Sequence, residues 1–170
     1  LPASSGVVQV TELSDVQRLR LLEQMESLED DFDFMLIDTG AGISDVVLYA
    51  VSMAGEVIVV ATPEPTSMTD AYATIKVLSS QQSREHMHLV VNQVGRAGDG
   101  RAICHQLQQV VDRFVQGPNS MPPKLAFLGD IPSDPAVRQA VQKRQLLLDL
   151  MPGSPAAQGV VQIATKLLSR

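Results

Sequence analysis

The chain has 170 residues, a length that suits one domain able to bury roughly two-thirds of its unfolded surface without disulfides. Its single cysteine cannot form an intrachain bridge, and no apolar run approaches the roughly 20 residues that a membrane-spanning helix needs. A net charge of −6 disfavours direct DNA binding, and only the short cluster Arg138, Lys143 and Arg144 runs against that charge. We therefore expect one soluble cytoplasmic domain over residues 1–170.

Helical and strand patterns alternate from the amino terminus onward. In residues 14–28 apolar side chains recur three apart, which predicts a helix that ends at the acidic turn 29–31. Several later segments are continuous apolar runs that do not alternate with polar residues, which predicts strands buried on both faces. These runs are 34–37, 57–61, 89–91 and, more weakly, 125–128.

Helix starts lie between these runs. Residues 67–70 have the spacing of a capping box, and the pairs Asp134-Pro135 and Ser154-Pro155 each place an N-cap residue before a proline at the first helical position. Residues 99–115 carry an apolar face typical of a helix that covers a sheet. The repeated strand, helix, strand order predicts an α/β fold with a mostly parallel β-sheet flanked by helices on both faces.

Loops at the carboxyl ends of parallel strands are where such sheets bind ligands. Asp38 directly follows the run 34–37, and a carboxylate that ends a buried strand needs a charged or hydrogen-bonding partner. Mg2+ with its waters would be one such partner, and Gly40 and Gly42 would let backbone N–H groups approach a terminal phosphate. The alternative is that Asp38 caps the next helix and the glycines only turn the chain. The other loops of this kind are 62–65, 92–95 and 130–134.

Several segments resemble the MinD/ParA-type P-loop ATPases. The stretch from Asp38 to Ile43 (DTGAGI) resembles the switch II segment D-x-x-A-G-I of that family. Residues 62–72 resemble the family's strand-to-helix loop, and their continuation into 75–78 resembles the flagellar-number regulators within the family, as does the loop 1–6. The resemblance implies that residues 1–170 are the C-terminal portion of a MinD-like ATPase domain whose amino-terminal part is missing.

The resemblance also implies roles for individual residues on the phosphate side of a nucleotide site. Asp38 would be the catalytic residue, holding the Mg2+ shell through water or the attacking water. Gly42 would contact the γ-phosphate, and Gly40 would lie beside it in the same loop. The ligands that this arrangement implies are ATP or ADP and Mg2+.

A second group of residues is implied on the adenine side. Asn92 matches the adenine-reading asparagine of the family, and its amide offers both a donor and an acceptor. A buried asparagine that bonds to nearby backbone would look the same in sequence. Pro132 and Asp134 match the segment that packs against the base, whereas the spacing of Asp134 alone favours an N-cap.

The phosphate-binding loop of the family, K-G-G-x-G-K-T, does not occur in this sequence, and neither does any G-x-x-x-x-G-K-[ST]. The acidic switch I segment is absent too. We therefore expect that this segment alone neither hydrolyses ATP nor binds it tightly, whereas the resemblance implies that the full-length protein does both.

Other candidate residues have simpler interpretations. His86 and His88 could face a metal from one side of a strand but have no third ligand nearby, so we expect solvated histidines at a strand edge. Cys104 and His105 are adjacent on a helix and point in different directions, which is unsuitable for a nucleophile and its base. The apolar stripe of the tail 156–170 lacks a polybasic face, so we expect it to pack on the sheet of its own domain.

The function implied by the resemblance is a nucleotide-dependent switch ATPase that regulates flagellar number and placement and flagellar biosynthesis. ATP would favour a homodimer, and the implied partners are an FlhF-like GTPase and a flagellar transcription activator. Any peripheral attachment to the inner face of the membrane would be weak or supplied outside this segment. The alternatives are a ParA-type partitioning ATPase and a non-catalytic α/β interaction module.

Overall fold

The computed structural model describes residues 14–28, 31–96 and 98–169. The chain divides into two units, Leu1–Gly55 and Glu56–Arg170, and each is described by itself. The loop 1–6 and the turn residues 29 and 30 lie outside the described residues. That residues 1–170 form a single domain stays a prediction.

The first unit contains two helices joined by an extended segment. Helix α1 (Asp15–Glu26) begins at a capping box in which Ser14 and Gln17 bond to each other's backbone N–H, as the pattern over 14–28 predicts a helix there. Helix α2 (Asp45–Met53) follows, with Ser44 at its N-cap.

The strand predicted at 34–37 is wrong, because this stretch has no strand structure and Leu36 is 85% exposed. A strand exists only through hydrogen bonds to a neighbouring strand, and within the described residues none pairs with this stretch.

The second unit is built on a parallel sheet in the order β1-β2-β3. Its three strands agree with the runs predicted at 57–61, 89–91 and 125–128, although β2 and β3 extend further than those runs. The elements in chain order are β1 (Ile58–Ala61), α3 (Pro65–Gln82), β2 (His86–Val94), α4 (Asp99–Phe114), a short 3-10 helix (Pro118–Ser120), β3 (Lys124–Pro132), α5 (Pro135–Lys143), α6 (Leu147–Leu150) and α7 (Pro155–Leu168).

Only the central strand is buried on both faces. In β2, Leu89, Val90 and Val91 are all buried, as predicted. In β1 the burial alternates, and Val60 is 60% exposed, so the prediction of two buried faces is wrong for this strand. Because β1 has a described neighbour on one side only and is covered on one face, its apolar composition does not lead to full burial.

Helices cover both faces of the sheet, which confirms the predicted fold class. A Cβ on Gly129 of β3 would lie 2.5 Å from Ile163 of α7, whereas the side chain of the next residue, Asp130, meets Gly100 of α4. Successive residues of a strand face opposite sides, so α4 and α7 pack on opposite faces. The tail helix thus lies on its own sheet, as predicted, although Val161 of its predicted stripe is exposed.

The apolar face predicted for 99–115 is rotated from the observed one. The buried residues of α4 include Cys104, Leu107 and Val111, whereas Val110 and Phe114 are exposed. At the start of the helix, Gly100 lies directly against Asp130 of β3 and belongs to the buried face.

Two of the three predicted helix starts are confirmed. Asp134 caps α5 by accepting from the N–H of Ala136, and Ser154 caps α7 by accepting from the N–H of Ala157. The capping box at 67–70 is wrong, because α3 already begins at Pro65 and the Ser67 hydroxyl instead accepts from the N–H of Thr62 at 2.9 Å. The proline sets the start of the helix three residues earlier than the polar pattern suggests.

Side chains occupy part of the outer edge of β3. The amide of Gln108 bonds to this edge as a neighbouring strand would: it donates to the carbonyl of Pro123 at 3.0 Å and accepts from the N–H of Leu125 at 2.7 Å. Further along, the ammonium of Lys166 donates to the carbonyl of Leu128 at 2.7 Å. These backbone groups are therefore already satisfied without a further strand.

Glycine at position 159 is required for the contact between α7 and β3. A Cβ there would lie 2.8 Å from the carbonyl oxygen of Asp130, which is backbone and cannot rotate away. We expect Gly159→Ala to destabilise the fold by about 1–3 kcal/mol in urea unfolding, despite the higher helix propensity of alanine. Gly153→Ala is the control, because a Cβ there meets nothing within 4 Å, and it should change stability by less than about 0.5 kcal/mol. Equal stabilities for the two variants would contradict this contact.

We expect Asp134 to make the stability of the fold depend on pH in the acidic range. The backbone N–H of Ala156, and then that of Ala136, hold the pKa of Asp134 below its usual range. Because the folded state favours the ionised form, this stabilisation is complete above the unfolded-state pKa of about 4 and is lost as pH falls through the lower folded-state value.

We therefore expect Asp134→Asn to unfold at lower urea than the wild type at neutral pH, and the two unfolding midpoints to converge at strongly acidic pH. Unfolding curves measured between about pH 7 and about pH 2 test this. Asp149→Asn, which changes an exposed aspartate of α6, is the control. A difference between wild type and Asp134→Asn that stays constant with pH would contradict the assignment.

Candidate functional site

Polar residues meet at the carboxyl edge of the sheet. In the β1–β2 ladder Ala61 pairs with Val91, so Thr62 and Asn92 follow at the same level, and Asn92 in turn pairs with Ile131 of β3. Parallel strands all end at one edge, which is why residues far apart in sequence lie side by side here. This edge is the candidate site of the second unit.

Asn92 is followed by an irregularity that controls its side chain. The β2–β3 register shifts between Asn92 and Val94, and Gln93 adopts a left-handed backbone with φ 58°. Its N–H donates to Asn92 Oδ1 at 2.9 Å. A hydrogen bond between the Asn92 side chain and nearby backbone, which the sequence allowed as an alternative, is therefore present. It uses only the side-chain oxygen of Asn92. The Asn92 amide nitrogen has no hydrogen-bond partner within the described part of the chain.

The loop after β3 is held by backbone and by Asp134. The N–H of Ser133 donates to the carbonyl of Val94 at 2.9 Å, which draws this loop against the end of β2. Both carboxylate oxygens of Asp134 accept backbone N–H groups, one from Ala136 and one from Ala156. Its N-cap role is confirmed, while contact of Asp134 or Pro132 with a nucleotide stays a prediction.

Asp130 is a structural element of this edge that the sequence analysis passed over. Its Oδ2 accepts from the N–H of Gly98 at 2.8 Å and from the N–H of Gly100 at 3.0 Å. One sequence signal could have identified Asp130. It is the pattern Gly98-x-Gly100 at a helix start, followed by an aspartate near the end of the next strand. The carboxylate joins the end of β3 to the start of α4.

Thr62 carries a buried group without a partner. Its Oγ1 is buried and makes no hydrogen bond within the described residues, whereas its backbone N–H is bonded to Ser67. A buried hydroxyl without a partner costs free energy, and a bound water or ligand is one way to satisfy it. Thr62 lies level with Asn92 on the neighbouring strand.

The remaining predicted site residues lie in the first unit. Asp38, Gly40 and Gly42 are all exposed, Gly42 has φ +99°, and a Cβ on either glycine would meet nothing within 4 Å. The alternative in which Asp38 caps the next helix is wrong, because the N-cap of α2 is Ser44. The structure brings together Asn92, Pro132 and Asp134 in the second unit, and Asp38, Gly40 and Gly42 in the first.

The histidines and the cysteine have structural surroundings. His88 is buried on the central strand with Nε2 3.1 Å from a carboxylate oxygen of Glu56, so the expectation of a solvated edge histidine is wrong for this residue. Cys104 is buried in α4, and burial raises the pKa of its thiol while Arg101 lowers it. Among the described residues no group of three or more His, Cys, Asp or Glu could hold a metal ion, and no helix is long and apolar enough to cross a membrane.

Two known proteins are similar to this chain over almost its whole length. The chain is 35% identical to the antiactivator FleN of Pseudomonas aeruginosa over 98% of its own length and 58% of that protein. It is 29% identical to the flagellum site-determining protein YlxH of Helicobacter pylori over 100% of its length and 55% of that protein. The chain thus spans little more than half the length of these relatives.

Solved structures show the same fold. The MinD cell division protein of Aquifex aeolicus superposes with a TM-score of 0.68 at 22% identity, over 93% of this chain and 62% of that one. MinD of Pyrococcus horikoshii in complex with Mg-ADP superposes with a TM-score of 0.63 at 24% identity, over 88% of this chain and 56% of that one. A family model described as ParA, NUBPL iron-transfer P-loop NTPase, matches residues 18–168. The chain therefore belongs to the MinD/ParA family of P-loop NTPases.

Proposed function

We propose that this chain is part of a MinD-like switch ATPase that regulates flagellar number and placement. The observation that carries the proposal is the carboxyl edge of the sheet, where Asn92 presents an amide NH2 with no described partner. The names of the relatives, an antiactivator and a flagellum site-determining protein, support the flagellar role. The net charge of −6 weighs against the partitioning alternative, which needs DNA.

On this proposal Asn92 reads the adenine. The edge of adenine offers a donor at N6 beside an acceptor at N7, and an asparagine amide can bond to both at once. Asn92 Oδ1 already accepts one N–H, from Gln93, and keeps a second lone pair, while its NH2 is available. Pro132, half-buried at the end of β3, would lie against the base.

Asp38, Gly40 and Gly42 would form the phosphate side. The exposed carboxylate suits a cation with its water shell, and the open space around both glycines would let a phosphate approach their backbone. When bound, Mg2+ would neutralise charge on the phosphates. Asp38 would hold the waters of that shell or orient the attacking water, and Gly42 would offer its N–H to the γ-phosphate.

The phosphate-binding loop is not in this sequence, so the proposal concerns the full-length protein. There ATP would favour a homodimer, and its hydrolysis would release partners such as an FlhF-like GTPase or a flagellar transcription activator. The helix after switch II, α2, is the element through which nucleotide state would reach such a surface, because it begins directly after this loop. Location would be cytoplasmic, with membrane attachment weak or supplied by other segments.

The first test is ATP binding and hydrolysis by the full-length protein with Mg2+, beside the 170-residue segment. We expect turnover in the full-length protein and neither turnover nor tight binding in the segment, measured by phosphate release and calorimetry. A full-length protein that is folded, has its partners present and still binds no ATP would favour the non-catalytic interaction module.

Single substitutions in the full-length protein test the role of Asp38 and the role of Asn92 separately. Asp38→Ala should lower kcat by at least about a hundredfold while ATP binding persists, and Asp33→Ala, an exposed aspartate of the same unit, is its control. Asn92→Ala should raise KM for ATP by about tenfold with little change in kcat, and Gln145→Ala, an exposed amide, is its control. Retained turnover in Asp38→Ala would refute the catalytic assignment.

A further inference from the structure

If the proposed function holds, the carboxylate of Asp130 has a further role in it. We propose that Asp130 is a positioning residue for purine selection, which acts by holding the loop after β2 and, through it, the orientation of the Asn92 amide. Two observations support it: Asp130 Oδ2 accepts the N–H groups of Gly98 and Gly100 at the start of α4, and the N–H of Gln93 donates to Asn92 Oδ1 at the end of β2.

Asp130 lies on β3, yet its side chain takes the place of an N-cap side chain for α4. The N-cap residue of α4 is Gly98, which has no side chain to accept the free N–H groups of the first turn. Asp130 Oδ2 accepts two of them, from Gly98 and Gly100. Hydrogen bonds to an ionised acceptor at a helix N-terminus are among the stronger ones in proteins. The start of α4 is therefore fixed to β3, and its anion-binding N–H groups are already occupied.

The contact is close enough that only glycine fits on the helix side. A Cβ on Gly100 would lie 2.6 Å from Asp130 Cβ and 2.9 Å from Oδ2. Gly98 has φ +97°, a conformation that residues with a Cβ rarely adopt. Both glycines thus serve the placement of one carboxylate, since a larger residue at either position would disturb it.

The loop after β2 is held where it leaves that strand and where it meets α4. At its far end Asp130 holds the N–H of Gly98. At its near end Val94 is fully buried, pairs with Pro132 and accepts the N–H of Ser133. Gln93 lies between Asn92 and Val94, which both pair with β3, and adopts a left-handed conformation with φ 58°. The Asp99 carboxylate also holds this loop, since it accepts the N–H of Arg96 at 3.1 Å. Release of Gly98 from Asp130 would loosen the loop where it meets α4.

The conformation of Gln93 decides which way the Asn92 amide faces. Its N–H points at the Asn92 side chain at 2.9 Å, and a donor there requires the carbonyl oxygen rather than the NH2 group. The NH2 group is thereby directed away from the backbone. In this orientation the amide suits adenine, which presents an acceptor and a donor side by side, and not guanine, which presents two acceptors at the same edge. A free amide could turn over and lose this distinction.

The experiment measures the dissociation constants of ATP and GTP, with kcat and KM, for the full-length protein and its variants. In Asp130→Ala we expect ATP binding weakened by about tenfold and the preference for ATP over GTP reduced by about tenfold, with kcat within about twofold. Asp130→Asn keeps a carbonyl oxygen as acceptor and should recover most of the preference. Asp149→Ala, which removes an exposed carboxylate of α6, is the control and should behave as wild type.

The experiment distinguishes failure of the role proposed for Asp130 from failure of the proposed function. If Asp130→Ala is poorly folded, wild type, Asp130→Asn and Gly100→Ala are compared instead. The Cβ that Gly100→Ala adds displaces the Asp130 carboxylate, so this variant should show a reduced preference for ATP. Asp130→Asn should largely keep the preference. An unchanged ATP to GTP ratio in folded variants of a protein that binds ATP would overturn this inference alone. A wild-type protein that binds neither nucleotide would overturn the proposed function and this inference with it.

Discussion

Parallel pairing of the buried strand β2 with a strand on each side is the constraint on which the second unit depends. Because all three strands run the same way, every chain crossing must pass over a face of the sheet, and the helices α3, α4 and α7 cover those faces. The same constraint collects the strand ends at one edge. Thr62, Asn92 and Ile131 are thus brought level without any direct attraction between them.

The helices approach the sheet closely where one of the two packed residues is glycine. Gly129 admits Ile163 on one face of β3, and Gly100 admits Asp130 on the other. Packing at this distance leaves little freedom for the loops that join the layers, so two carboxylates, Asp130 and Asp134, can organise them with a few backbone hydrogen bonds. The order of the edge therefore derives from the packing of the layers as well as from its own polar residues.

The sequence predicted the parallel sheet and two helix caps, but it did not predict which segments find a partner in the fold. Asp134 and Ser154 cap helices as their spacing indicates, because a cap needs only its own next turn. The run 34–37 has the composition of a strand but no described partner, and composition cannot supply one. Asp130 was overlooked because its partners, Gly98 and Gly100, are about thirty residues away and become recognisable only when β3 lies beside α4.

The two sides of the sheet are not equivalent for growth. At β3 the groups that another strand would need, including the N–H of Leu125 and the carbonyls of Pro123 and Leu128, are already bonded to Gln108 and Lys166. An incoming strand would have to displace an amide and an ammonium before gaining any bond of its own. Pairing of another strand along this part of β3 is therefore opposed by side chains of α4 and α7 that already use its backbone groups.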